Sequence, residues 1–127
     1  MDFKPNYPIY LQVADFVCEK VLTGQWRNGD KLPAVKELSV QTAVNPNTVI
    51  KALGYLQDNG ILQSQRGLGY YLTDNSEAGT LALKRQQFID IDLPQVFASM
   101  DLLGIGFDEL QNFHRARGKV ATASTNS

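Results

Sequence analysis

The sequence predicts a mainly α-helical protein carrying one small β-hairpin. Three observations predict it. Apolar residues recur at three- and four-residue spacing in separate runs before residue 60, as on the buried stripe of a helix. Two short runs flank Gly67-Leu68-Gly69, which is hairpin chemistry. Helical spacing then returns from Leu81 to Phe113.

Each element has its own local reason. Over 8–23, Ile9, Val13, Phe16 and Val17, with Tyr10 and Val21 beside them, line one face of a helix started by Pro8 and stopped by Gly24. Residues 24–30 are turn-forming, and Lys31-Leu32-Pro33 is extended because a residue before proline avoids the α region. A short helix over 34–42 turns Val35, Leu38 and Thr42 inward. Ala43-Val44-Asn45 makes a tight turn. Asn45 then caps a third helix with Pro46 at its first position, where a missing N–H costs nothing. Its inward residues are Val49, Ala52, Leu53 and Leu56, and Gly60 ends it.

The hairpin strands are expected over 61–66 and 70–73. Residues 74–77 read as a linker and helix start. Leu81, Phe88 or Ile89, Leu93, Val96, Phe97 and Met100 keep helical spacing as far as Gly104. Pro94 lies inside that pattern and predicts a kink or break near Asp92-Leu93. A last helix over about 107–117 should bury Leu110 and Phe113. Lys119 to Ser127 is rich in Thr, Ser and Ala and is expected to be disordered.

Composition narrows the function. The chain has 127 residues, 43% hydrophobic and 20% charged, enough for a core and unlike a disordered chain. Its net charge of -1 excludes a polybasic protein, so any basic surface must arise by arrangement. The one cysteine, Cys18, precludes an internal disulfide, and no metal-ligand spacing is present. The N-terminus has no basic and apolar leader pattern, and no apolar run is long enough to span a bilayer. A cytoplasmic protein with no membrane association, no cofactor and no metal is expected. His114 has no partner residues for catalysis or metal binding. The carboxylates Asp90, Asp92, Asp101, Asp108 and Glu109 form no acid/base pair, so enzyme activity is not expected.

Helix, helix, tight turn, helix and two-stranded wing is the order of a winged helix-turn-helix, whose third helix enters the DNA major groove. The strings that fill this order are Pro8-Ile9-Tyr10-Leu11-Gln12, Leu32-Pro33-Ala34-Val35-Lys36-Glu37-Leu38, Val44-Asn45-Pro46-Asn47-Thr48-Val49-Ile50-Lys51-Ala52-Leu53, Asn59-Gly60-Ile61-Leu62 and Arg66-Gly67-Leu68-Gly69-Tyr70-Tyr71-Leu72. Together they closely resemble the N-terminal domain of GntR-family transcription regulators over residues 8–74. The short remainder resembles the YtrA-like branch. The resemblance implies a winged helix-turn-helix DNA-binding domain (8–74), a C-terminal α-helical dimerisation tail (75–118) and the disordered C-terminus (119–127). It also implies a homodimeric repressor on a palindromic double-stranded DNA operator. Dimerisation is assigned to Leu81, Phe88, Leu93, Phe97, Met100 and Phe107.

For DNA contact the residues are Tyr10, Lys36, Asn45, Asn47, Thr48, Lys51, Arg66 and Gly67. Asn45, Asn47 and Thr48 open the recognition helix, where short polar side chains reach base edges and phosphates. Lys36 and Lys51 suit phosphates or base acceptors, the Tyr10 hydroxyl a phosphate, and Arg66 a narrow minor groove. Gly67 permits close backbone approach. Many relatives of this kind carry arginine where Lys36, Pro46 and Ile50 stand here. Lysine lacks the bidentate fork that reads guanine, so Asn45 and Asn47 point instead to adenine.

Plainer readings stand beside these. Lysines and arginines are often only solvated, Asn45 is first a cap, and Gly67 and Gly69 suit a turn. Cys18 fits a small core side chain or a redox sensor. The apolar tail could pack on its own monomer. A winged-helix module that recruits a protein rather than DNA is the alternative function, and a sensor of an unidentified small-molecule effector is a third.

Overall fold

In this computed structural model, residues 7–125 are described, those after Gly118 by backbone alone. Pro8 opens α1 (Ile9–Leu22), its carbonyl accepting from the Leu11 and Gln12 amides at 3.1 and 3.2 Å. Val13, Val17 and Val21 are buried, with the small residues Ala14 and Cys18 beside them. Ile9, expected inside, is 40% exposed instead. The buried stripe drifts around the helix toward Ala14 and Cys18, leaving the first turn to one side.

Next, α2 (Val35–Thr42) starts from Ala34, which makes no side-chain capping bond. Leu38 and Thr42 are buried, and the Thr42 hydroxyl donates to the Leu38 carbonyl at 2.7 Å. The turn out of α2 is left-handed at Ala43, φ +57°. Ser39 fastens it: its hydroxyl donates to the Val44 carbonyl, and the Val44 amide donates to the Ser39 carbonyl. Then α3 (Pro46–Asp58) presents Val49, Ala52, Leu53 and Leu56 to the core, all fully buried.

The wing is β1 (Leu62–Gln65) and β2 (Gly69–Leu72), antiparallel, with Leu62 opposite Leu72 and Gln65 opposite Gly69. Lys31 bridges to Tyr71 on the other side of β2. The Leu32 amide donates to Tyr70 and the Leu72 amide to Asp30, at 2.9 and 2.8 Å. The extended piece before Pro33 thus anchors the wing to the helices.

α4 (Ser76–Gln87) is strapped down at its start by Asn28. That side chain donates to the Asp74 carbonyl at 2.9 Å and accepts from the Ser76 hydroxyl and the Glu77 amide. Ser76 and Thr80 are buried, Leu83 packs against the core, and Lys84 pairs with Asp15 on α1 at 2.8 Å. The first compact unit accordingly runs through Gln86.

A second compact unit begins at Gln87. It holds a π-helical turn over Phe88–Asp92, then α5 (Leu93–Leu103) with Pro94 in its first turn, and α6 (Phe107–Thr125). Where the sequence predicts a kink or break, the helix does not stop: it widens to i→i+5 bonding over Phe88–Asp92 and continues into α5, just before a residue that cannot donate. Gly104, φ +69°, ends α5. No residue of α5 is buried. Leu110 is half-buried, whereas Phe113, expected inside, is 58% exposed. No proline interrupts the chain after Phe107, and α6 continues past Arg117 to Thr125. Asn126 and Ser127 lie outside the described residues.

Candidate nucleic-acid interface

The surface of interest begins where α3 begins. Asn45 has extended backbone, and its side-chain oxygen accepts from the Asn47 amide at 2.8 Å, satisfying one of the free donors of the first turn. Its carbonyl accepts from Thr48 and Val49 at 3.0 and 3.1 Å. The Asn45 side-chain oxygen is therefore committed to the fold. The Asn47 side chain is exposed, and Thr48 is half-buried. Of the two asparagines read as adenine contacts, Asn45 has its side-chain oxygen engaged in the cap, and Asn47 presents an exposed side-chain amide.

At 100° per residue, Asn47, Ile50, Lys51 and Gly54 form a stripe opposite the buried residues of α3. Lys51 does not simply extend into solvent. Its ammonium lies 4.3 Å from the centre of the Tyr10 ring, a cation–π contact across α1 and α3. Tyr55, one turn beyond Lys51, meets Tyr10 edge to face with ring centres 5.9 Å apart. Tyr10 and Lys51, chosen separately in the sequence, are thus joined. Tyr55 was missed there, although its spacing of four from Lys51 on one helix was visible. Ile50 and Gly54 complete the stripe beside Asn47 and Lys51. Their joint position on the outward stripe was available from the same spacing.

Lys36 on α2 is exposed and has no ion-pair partner among the described residues. Arg66 and Gly67 sit at the wing tip, both exposed. Gly67 has φ +76° and Gly69 φ +112°, so the turn itself requires glycine at both places. A Cβ on Gly67 would meet nothing within 4 Å, leaving the tip open on its outer side. Among the described residues, no ion pair or ring contact joins Lys36 or Arg66 to the Tyr10–Lys51 pair.

Cys18 is 1% exposed on α1, and burial pushes its thiol up to about 12, with nearby Lys84 pulling the other way. This is a core side chain with almost no thiolate at neutral pH, which argues against the redox reading. Among the described residues there is no cluster of ligands for a metal ion. None of their helices is long and apolar enough to cross a membrane.

Of the residues assigned to the tail, Leu81 on α4 is 51% exposed. Phe88, Phe97 and Phe107 in the second unit are 50%, 49% and 69% exposed. Leu93 and Met100 are half-buried. Within the second unit, Val96, Met100, Leu103, Ile105 and Phe113 line an open, mainly apolar groove of about 490 Å³.

A capped recognition helix, a fastened turn before it and a glycine-tipped wing define a winged helix-turn-helix DNA-binding transcription regulator. The family model described as bacterial regulatory proteins, gntR family, matches residues 9–72. The chain belongs to the GntR family. It is 34% identical over 113 residues to the HTH-type transcriptional repressor YtrA of Bacillus subtilis (strain 168), covering 89% of this chain and 86% of that protein. It is 37% identical over 75 residues to the HTH-type transcriptional regulator YhcF of the same organism, covering 59% of this chain but only 62% of YhcF. A GntR family transcriptional regulator from Listeria monocytogenes superposes with a TM-score of 0.72 at 28% identity, over 90% of this chain and 98% of that one. These similarities place the chain in the YtrA-like branch.

Proposed function

We propose that the chain is a homodimeric transcriptional repressor that binds a palindromic DNA operator. Two copies associate through the apolar surface of residues 75–118 and present their α3 helices to successive major-groove half-sites. The observation that carries this reading is the apolar surface the second unit leaves exposed: α5 has no buried residue, while Phe88, Phe97 and Phe107 are about half exposed or more. Apolar surface of that extent is stabilised by association, and the groove beside Met100 and Phe113 is shaped to receive apolar side chains. The repressor sense is supported by the likeness to YtrA.

DNA contact is assigned to Asn47, Thr48 and Lys51 on α3, to Lys36 on α2, and to Arg66 and Gly67 at the wing. Asn45 acts first as the cap of α3. Tyr10 contributes its ring by holding Lys51, and its hydroxyl is the second route to a phosphate. Binding is salt-sensitive, since each phosphate neutralised releases counterion.

Selection of bound duplexes from a random DNA pool tests the reading. An enriched palindrome, bound at one dimer per duplex, is the expected result. No enrichment by a folded dimer overturns it and leaves a module that recruits another protein.

A further inference from the structure

Two positions on the outward stripe of α3 break the rules that the rest of the helix obeys. Ile50 is 46% exposed, although every inward apolar residue of this helix is fully buried. Gly54 lies one turn further along the same stripe. It has no positive φ, and a Cβ placed on it would meet nothing within 4 Å. Neither backbone nor packing requires glycine there, and glycine costs about 1 kcal/mol relative to alanine inside a helix. The fold thus fixes neither residue, and what the two share is a place on the outward stripe.

The stripe that holds them also holds Asn47 and Lys51, the side that faces DNA in the reading above, on which this inference rests. The floor of the major groove offers one apolar group, the C5-methyl of thymine. An isoleucine can bury that methyl and gains nothing from the polar edges of the other bases. A glycine four residues on leaves room for the base pairs to come close to the helix. Asn47, one turn before Ile50, suits adenine, so the neighbouring pairs would have matching composition.

We propose that Ile50 is a specificity-determining residue that packs on a thymine methyl in each half-site, with Gly54 providing the clearance. The methyl alone carries the discrimination: uracil pairs identically and lacks only that group.

The test uses two random duplex pools, one built with thymine and one with uracil in its place, and the full-length protein. In the thymine pool a preferred thymine should appear in each half-site, and that preference should vanish from the uracil pool. Replacing that one thymine by uracil in the selected duplex should weaken binding by about three- to fivefold per half-site, the worth of one buried methyl. Ile50→Ala, at an exposed position, should bind the thymine and uracil duplexes equally. Gly54→Ala should melt higher yet bind the selected duplex more weakly. Unchanged binding on uracil replacement throughout, or an Ile50→Ala protein that keeps the wild-type thymine preference, overturns the proposal. Failure of both pools to enrich any sequence overturns the operator reading itself.

Discussion

At the scale of single residues, the most informative contact is the ammonium of Lys51 over the Tyr10 ring. A lysine at this point of a recognition helix would otherwise lose about 2 kcal/mol of rotamer freedom on being fixed against DNA. Holding it beforehand reduces that loss. Tyr10→Phe keeps the ring and should leave duplex affinity within about twofold, whereas Tyr10→Leu should weaken it to nearly the level of Lys51→Ala. Fluorescence anisotropy on a selected duplex measures this. Equal, large losses for Phe and Leu would mean that the hydroxyl, not the ring, is what matters. Cys18 makes a second prediction at this scale. Its folded pKa of about 12 lies above the ordinary 9.0, so the unfolded chain loses its thiol proton first as pH rises. The folded state then binds more protons, and stability falls between those two values. The melting temperature of the wild type should drop more steeply above pH 9 than that of Cys18→Ala. Parallel curves would place the thiol in a less shielded setting.

The elements show where physical chemistry constrains the sequence most tightly. α3 was legible down to its four inward residues, because an asparagine cap, a proline and an unbroken apolar period all agree. The wing was legible from Gly67 and Gly69, whose left-handed backbones leave few other residues acceptable. Ala43 obeys no such rule. It closes the turn between α2 and α3 at φ +57°, a conformation that costs a non-glycine residue about 1–2 kcal/mol. Ala43→Gly should therefore stabilise the protein by up to about 1 kcal/mol, after glycine's greater unfolded-state freedom is subtracted. Chemical denaturation would show it as a raised midpoint at unchanged slope. A lowered midpoint would mean that the turn depends on the alanine methyl. The exposure of Ile9 and the π-helical turn at Phe88–Asp92 were not legible. Periodicity reports which residues share a face, not how far along a helix its partner extends, and Pro94 announces a break without fixing its form.

For the molecule as a whole, the recognition head could be read from local signals and the extent of the first compact unit could not. Lys84 and Asp15 pair α4 with α1, and Asn28 ties the start of α4 to the turn after α1, across large sequence separations, and no local pattern announces such pairs. The second unit was read as helical from spacing alone, but what its apolar residues cover is a question of assembly. Phe97→Asp should shift the protein from dimer to monomer in light scattering and lower affinity for a palindromic duplex by at least tenfold, leaving the helical circular dichroism of the first unit in place. A dimer that survives this charge would move the interface away from Phe97.

The two faces of α3 also bear on descent. Val49, Ala52, Leu53 and Leu56 are closed off from solvent, while Asn47, Ile50, Lys51 and Gly54 have no part in the core. Gene duplication can therefore exchange the outer four without disturbing the inner four. On the operator reading proposed above, a lineage built on this helix can acquire new target sequences by substitutions that leave its buried core intact.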